Sequence, residues 1–286
     1  MEETLVRRFI EWVEEDNPYW DETTELLVPR GLRVEAVVLA KAEGIVACID
    51  DLVVVLEKLG LEVEKHIKDG DRVEPGDEIL VIRGDARKIL VIERTLLNLL
   101  MHCSGVATTT YKLVEKVKKI NPKVRIAATR KIVPGLRYFV KKAVRAGGGD
   151  THRLGLSDMV LIKDNHLRIV GDVGKAVRIA RSKTSFSKKI EVEVETIEDA
   201  VKAVEAGADI IMLDNFRPED VGMVVDELKR RGLRDKVLIE VSGGITPDNI
   251  IEYARYDVDI ISLGWITHSA PALDVSLEIK RVIGRK

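Results

Sequence analysis

Six short apolar runs in the later part of the sequence each end on residues that could do chemistry. "VRIAAT" runs through Thr129 into Arg130 and Lys131, and "MVLIKDNH" into Lys163, Asp164, Asn165 and His166. "KIEVEVE" carries Glu193 and Glu195, and "DIIMLDN" closes on Asp214 and Asn215. "KVLIEVSGG" closes on Ser242, Gly243 and Gly244, and "DIISLGW" on Gly264. Adjacent cations at the end of a buried strand are costly to desolvate, so something of opposite charge must meet them. Arginine suits planar carboxylates through its fork, and lysine acts as a point charge. His152 and Arg153 follow "GGGD", whose glycines permit close backbone approach. Lys163 could pair with Asp164, bind an acid, or form a Schiff base with a carbonyl. Glu193 and Asp214 could hold a divalent cation, bind sugar hydroxyls or stabilise a developing positive charge. Glu195, further along its loop, reads as a neutraliser of the lysines. Glycines at the last two run ends let backbone N–H groups approach a phosphate. Together these ends expect a ligand with several anionic groups and a reaction centre that becomes cationic.

The elements that must position them follow from pattern. Between most of the runs lie helical segments, among them "YFVKKAVRAGG", "GKAVRIARS", "IEDAVKAVEAG", "PEDVGMVVDELKRRG" and "PDNIIEYARY". Alternation of apolar strands with helices means a parallel sheet covered by helices. Six or seven such units suit an α/β barrel of TIM type, incomplete or open, with its chemistry at the C-terminal strand ends. The first third is mixed. "LVRRFIEWVEED" has Leu5, Phe9 and Val13 at helical spacing. "VEAVVLAKAEGIVACID" reads as two strands broken near Gly44, and "LVVVLEKLG" as a helix stopped by Gly60. "VEKHIKDGDRVEPGDEILVIRGD" reads as strands joined by Gly-containing turns. "LVIERTLLNLLMHCSGVATTTYKLVEKVKKI" reads as helix with a break at Ser104-Gly105. The division expected is residues 1–108 as an N-terminal α/β domain, joined by a returning segment 271–286, and residues 109–270 as the barrel with the active site.

Of the 286 residues, 45% are apolar, ample for a core, and 33% are charged. There is no Gln, and a charge-rich, amide-poor composition fits a hot habitat. The net charge of −2 gives no signal for nucleic acid or a membrane surface. Residues 121–170 hold 11 Lys/Arg against 3 Asp/Glu, and residues 191–226 hold 11 Asp/Glu against 2 Lys/Arg. Such asymmetry can mark a site for charged ligands, although Lys141, Lys142, Glu198 and Glu219 read as solvated helix faces. Cys48 and Cys103 lie far apart in sequence without CxxC spacing, which fits a reducing cytoplasm. No apolar run approaches the ~20 residues of a membrane span, and the N-terminus lacks a signal-peptide core.

The motifs "ERTLLNLLMHCSGVAT", "TRKIVPGLR", "GGGDTHRLGLSD", "LIKDNH", "IEVEVET", "IIMLDNF", "EVSGGI" and "ISLGWITHSAPALDVSLEI" closely resemble the quinolinate phosphoribosyltransferase family. That resemblance implies an N-terminal α/β sandwich and an incomplete α/β barrel, in a dimer or hexamer. It implies that Arg94 reaches quinolinate in a neighbouring copy, and that Arg130, His152, Arg153 and Lys163 bind quinolinate. Thr129, Lys131, Glu193, Asp214, Ser242, Gly243, Gly244, Gly264 and His268 match positions around phosphoribosyl pyrophosphate (PRPP). Of these, Lys131, Glu193 and Asp214 are the catalytic set. Magnesium is implied as the companion of the pyrophosphate, with Glu193 and Asp214 as its protein partners. The activity implied is transfer of phosphoribose to quinolinate with loss of carbon dioxide, in de novo NAD biosynthesis. The family usually has Asp and Thr where Ala128 and Ile132 stand, Asn at Thr151, and a small residue at Trp265. A nicotinate phosphoribosyltransferase would share the chemistry but needs only one carboxylate clamp. Separately, "EKHIKDGDRVEPGDEILVI" resembles a biotinyl or lipoyl carrier module, although its following turn is "RGDAR", with Lys88 beyond it and no methionine.

Overall fold

The computed structural model describes residues 2–285, which fall into two compact units. One comprises the residues up to Thr109, Arg145–Gly148, and those from Ala270 onward. The other comprises Thr110–Val144 and Gly149–Ser269.

The first unit begins with α1 (Glu2–Asp16), α2 (Glu22–Leu27), β1 (Leu32–Ala40), β2 (Gly44–Ile45) and α3 (Ile49–Lys58). It continues with β3 (Glu62–Lys65), β4 (Arg72–Val73), β5 (Glu78–Asp85) and α4 (Ala86–Lys118). Leu5 and Phe9 of α1 are buried, as their spacing predicts, and Gly60 ends α3 with a positive φ of 81°. The final strand, Val275–Arg285, pairs antiparallel with β1, so the chain end completes a four-stranded sheet with β1, β5 and β3. Glu35 on β1 is buried at its centre, where it accepts a hydrogen bond from Arg83 on β5 (2.5 Å) and lies 3.1 Å from Arg281 on the last strand. One desolvated carboxylate thus ties three strands, and the two guanidinium groups hold its pKa low.

Four readings of this region change. The helix does not break at Ser104-Gly105: α4 runs unbroken to Lys118. Gly105 serves close approach instead, because a Cβ there would stand 2.1 Å from the Pro271 carbonyl oxygen. Lys88 lies in the first turn of α4, where its ammonium reaches the Leu59 carbonyl, rather than at a hairpin tip as in a carrier module. Cys48 and Cys103, distant in sequence, are buried neighbours; their thiols share a hydrogen bond, which with burial raises the Cys48 pKa. By length and apolarity α4 alone among the described residues could also cross a membrane, contrary to the run-length reading; 61% of that window is buried inside the protein, as in a core helix.

The second unit alternates strand and helix. It holds β6 (Arg125–Ala128), α5 (Arg137–Ala146), β7 (Val160–Ile162), α6 (Asp164–Val170), α7 (Val173–Lys183), β8 (Ile190–Val194) and α8 (Ile197–Glu205). Then come β9 (Ile210–Asp214), α9 (Pro218–Arg230), β10 (Leu238–Ser242), α10 (Ile250–Ala254), β11 (Ile260–Leu263) and α11 (Trp265–His268), before the last strand, β12. The six strands are those read from the sequence. They form one parallel sheet in the order β6-β11-β10-β9-β8-β7, with β6 and β7 as its two edges. This is an open α/β barrel: no ladder joins β6 to β7 among the described residues, and only a single bridge from Ala127 to Asp150 extends the β6 edge. Every residue of β8 is buried. Because side chains alternate along a strand, Ile190, Val192 and Val194 face one side and Glu191 and Glu193 the other. Capping side chains set the helices that follow: Asp172 accepts from the Lys175 N–H and Thr196 from the Asp199 N–H.

Replacing Gly105 by Ala would drive a methyl into the Pro271 backbone, whose atoms cannot swing aside as a side-chain tip can. We expect a loss of about 1–3 kcal/mol of stability, read as a lower urea midpoint at unchanged slope. An unchanged midpoint would show that the Pro271 segment yields freely.

Candidate active site

The strand ends of the open barrel converge on one cleft of about 690 Å³. Its walls include Thr129, Arg130 and Lys131 after β6, His152 and Arg153, Lys163 after β7, and Glu193 on β8. Asp214, Ser242, Gly243 and Gly244 complete it from β9 and β10. All eleven were singled out in the sequence, and they share this one cavity with Asp164, Glu195 and Asn215, read from the same strand ends. Gly264 and His268 lie beside it: a Cβ on Gly264 would stand 2.7 Å from His268 Nε2 and 3.3 Å from the Lys131 side chain. The Thr267 hydroxyl donates to the Lys131 carbonyl (2.7 Å), which fixes α11 against the Thr129–Lys131 segment. Arg94 stands apart, exposed on α4 of the first unit, with Glu93 4.0 Å away.

One wall is cationic. Arg153 is 8% exposed, and burial, then the charge of Arg130, lowers its pKa. The Nε of Arg130 is buried and has no hydrogen-bond partner. Thr129 Oγ1 accepts from the Lys131 N–H at 3.1 Å, turning the chain as it leaves β6. The opposite wall is anionic. Glu193 accepts from the Lys163 ammonium and, at 3.3 Å, from the Asp164 N–H. Asp214 is pushed up by burial and then by the neighbouring Glu193 charge. Two neighbouring carboxylates, one of them raised by burial and by the other's charge, are hard oxygen donors suited to a magnesium ion. Glu193 and Asp214 therefore fit such an ion, and Glu195 lines the same cleft.

Between β9 and β10 the backbone is tightly folded. Gly243 has φ 87°, and a Cβ there would meet Asn215 Oδ1 at 2.3 Å and the Asn215 backbone N at 2.8 Å. Asn215 itself sits at φ 58°, its N–H donating to Ser242 O and its amide to Asp214 Oδ2, both at 2.9 Å. Gly244, at φ 62°, has open space where a Cβ would go. Only glycine leaves that turn accessible to an oxyanion.

Sequence reasoning missed a layer beneath the cleft. Glu191 and Glu240 are wholly buried inside the barrel. His152 Nε2 lies 3.1 Å from Glu240 Oε2 and 3.3 Å from Glu191 Oε2. The Ser262 hydroxyl donates to Glu240 Oε1 (2.5 Å), while neither Glu191 oxygen has a hydrogen bond of good geometry. Burial alone would lower the His152 pKa, but the hydrogen bonds and charges of Glu191 and Glu240 raise it to about 10. Burial raises Glu191 to about 7, against the pull of His152. Against the imidazolium stands one contact: His152 Nδ1 accepts the Arg153 N–H at 2.8 Å, so in this conformation the ring carries its proton on Nε2. That geometry, rather than the surrounding charge, decides the tautomer. The three groups bring their ligating atoms within 4.8 Å and could hold a cation, but Glu240 already accepts from Ser262 and His152. The only signal in the sequence was the strict alternation "IEVEV", in which Glu191 shares the face of Glu193.

An open α/β barrel with a cleft of opposed cationic and carboxylate walls at its strand ends defines an enzyme class that handles polyanionic substrates. Residues 21–104 match the family model "Quinolinate phosphoribosyl transferase, N-terminal domain", and residues 106–278 match its "C-terminal domain" counterpart. The chain is 49% identical over 270 residues to the probable nicotinate-nucleotide pyrophosphorylase [carboxylating] of Methanothermobacter thermautotrophicus, covering 94% of this chain and 97% of that one. It is 36% identical over 276 residues to the human nicotinate-nucleotide pyrophosphorylase [carboxylating], covering 96% and 92%. It superposes on the crystal structure of NadC from Streptococcus pyogenes with a TM-score of 0.91 at 34% identity, covering 99% of each chain. The chain belongs to the quinolinate phosphoribosyltransferase family.

Removing the Glu240 carboxylate orphans two buried donors, the Ser262 hydroxyl and the His152 ring. Glu240→Ala is expected to destabilise the fold by about 1–3 kcal/mol for each orphaned group, measured by denaturant unfolding. A cost near zero would mean that water replaces the carboxylate.

Proposed function

We propose that this chain transfers the phosphoribosyl group of PRPP to quinolinate and releases carbon dioxide, giving nicotinate mononucleotide and pyrophosphate for NAD biosynthesis. The observation that carries this reading is the opposition, across one cleft, of a cationic wall anchored on the buried Arg153 and a carboxylate wall. Quinolinate presents two adjacent carboxylates, which match Arg130, Arg153 and Lys163; the unpartnered Arg130 Nε supports a missing acceptor there. His152 has both ring nitrogens engaged, by the Arg153 N–H and the buried carboxylates, so it acts by shaping the turn that carries Arg153. Thr129, Lys131, Ser242, Gly243, Gly244, Gly264 and His268 receive the phosphates of PRPP, the glycines through bare backbone. Glu193 and Asp214 are the residues that would hold magnesium, which when bound offsets the charge of the pyrophosphate.

The chemistry follows from these contacts. The pyridine nitrogen is already a nucleophile and needs no general base. Its lone pair forms a bond to the anomeric carbon as the bond to pyrophosphate breaks. Lys131 stabilises the departing charge, while Glu193 and Asp214 favour the cationic ribosyl centre. The ring nitrogen is then positive, so the carbon–carboxylate bond beside it can break, its electron pair staying on carbon next to that charge. A proton from solvent replaces the carbon dioxide. The second unit is the catalytic domain in this reading. Arg94, exposed on the first, serves the cleft of a neighbouring copy in a dimer or larger assembly. Two unbridged thiols, Cys48 and Cys103, support a reducing, cytoplasmic setting. Charge networks such as Arg83 between Glu35 and Glu64 support a high working temperature.

The deciding assay mixes the protein with PRPP, magnesium and either quinolinate or nicotinate, and follows carbon dioxide and nucleotide. Nucleotide and carbon dioxide in equal amounts from quinolinate are expected; turnover of nicotinate alone would overturn the reading. Arg153→Ala should weaken quinolinate binding by about 2–5 kcal/mol, since one carboxylate loses its partner in a buried setting. Unchanged quinolinate affinity would remove Arg153 from the subsite.

A further inference from the structure

Lys141 reads as part of a solvated helix face, yet it is 2% exposed. It projects from α5 into the second unit, and its ammonium donates to the Thr151 carbonyl. That carbonyl belongs to the peptide immediately before His152, which holds a left-handed φ of 51°. Neighbouring contacts fix the same turn. The His152 N–H donates to Asp150 Oδ1 at 2.8 Å, and the Ala128 N–H donates to the Asp150 carbonyl at 2.9 Å. Lys141 therefore pins, from behind, the turn that delivers Arg153 to the cleft.

A lysine buried among cations is an unusual arrangement, because burial and like charge both favour its neutral form. The groups that act on it come from several segments. Arg137 lies on its own helix, Asp150 and Arg153 on the segment after it, Arg130 after β6, and Asp158 before β7. Of these, the three arginines oppose its charge and Asp150 favours it.

We propose that Lys141 is a positioning residue of the dicarboxylate subsite, and that it takes up a proton when a dicarboxylate binds against Arg130 and Arg153. This rests on the reading of the cleft given above. In the free protein, burial first and then Arg137, Arg130 and Arg153 lower the Lys141 pKa to about 8. Two carboxylates arriving beside Arg130 and Arg153 add negative charge to the same neighbourhood, so the pKa rises on binding. The sign follows. Well below pH 8 Lys141 is protonated in both states and binding moves no proton on it. Between the free and the bound pKa, binding draws a proton from solvent, and affinity falls by up to about tenfold per pH unit. Lys141 touches no substrate atom in this account; it acts through the Thr151 carbonyl and through its charge.

The test is calorimetric titration of the full chain with quinolinate, in two buffers of different ionisation enthalpy, at about pH 6.5 and about pH 8.5. At the lower pH Lys141 is charged in both states, so the parent and Lys141→Arg are expected to take up the same amount, on groups such as Glu191, which burial raises to about 7; at the higher pH the parent is expected to take up a substantial fraction of a proton more than Lys141→Arg. Lys141→Arg, charged throughout, should bind at both without that extra uptake, and its affinity should lose that decline with pH. Lys141→Met should bind more weakly at both values without the extra uptake; should it fail to fold, the arginine variant and the parent decide the matter. Binding by the parent with no more proton uptake than Lys141→Arg at the higher pH overturns the inference alone. Failure of quinolinate to bind at either pH overturns the subsite reading and this inference with it.

Discussion

The second unit is organised around the burial of like charges. Arg130 and Arg153 lie close enough to Lys141 to oppose its charge, and Arg130 opposes that of Arg153. Removing an ion from water costs several kcal/mol even after the protein relaxes, so a core that only had to be stable would hold none of them. Part of the cost is offset internally: the Thr151 carbonyl and Asp150 serve Lys141. Lys163 is better matched, because Glu193 meets its ammonium directly. What stays unmatched is the guanidinium face of Arg130, whose buried Nε has no partner. In the function proposed here, that unmatched donor is what an acidic substrate would satisfy.

Holding cations in such a place requires a backbone that does not relax away. The main non-glycine departures from ordinary backbone in the second unit are His152 and Asn215, both at positive φ and both at the cleft. Each is over-determined. His152 is held through its N–H, through its ring on both nitrogens, and through the carbonyl that precedes it. Asn215 is held by Ser242 O and Asp214 on one side and packs against Gly243 on the other. Strain of this kind costs on the order of 1–3 kcal/mol per residue and persists only where surrounding contacts enforce it. The buried layer of Glu191, Glu240 and Ser262 is part of that enforcement: it grips the His152 ring from inside the barrel, and so sets the direction of Arg153 one residue on.

Much of this was legible in the sequence because strand ends are conspicuous. All six parallel strands, their order of chemistry-bearing ends, and nine of the eleven site residues that line the cleft follow from apolar runs that stop on polar or glycine positions, while His152 and Arg153 follow the glycine-rich "GGGD". What was not legible shares one cause: periodicity reports which side of an element a residue occupies, but not what that side faces. Glu191 alternates with apolar residues as an exposed strand residue would, and only the curling of the sheet turns that side inward. Lys141 lies next to Lys142 in a helix whose other buried positions are Phe139, Val140, Ala143 and Val144, and a lysine there reads as the rim of the apolar stripe. Gly105 looks like a helix stop because the residue that demands it, Pro271, is far away in sequence.

The interior carboxylates also bear on why the cleft keeps two chemically different walls. If Glu193 and Asp214 faced only solvent, their mutual repulsion would be screened and Asp214 would not be raised. Burial makes the repulsion count, and it leaves Asp214 seeking a positive partner while Glu193 is already committed to Lys163. The acidic wall therefore selects positive charge at one end of the cleft while the arginine wall selects negative charge at the other. A ligand satisfies both only if it brings anionic groups to one side and cationic character to the other. A pyridine dicarboxylate joined to a sugar that is losing pyrophosphate does so at the moment of transfer, because the positive charge develops on the ribosyl centre while the two carboxylates stay fixed. In the proposed reaction the charge pattern is thus better fitted to the transition state than to either reactant alone, the kind of difference that accelerates a reaction.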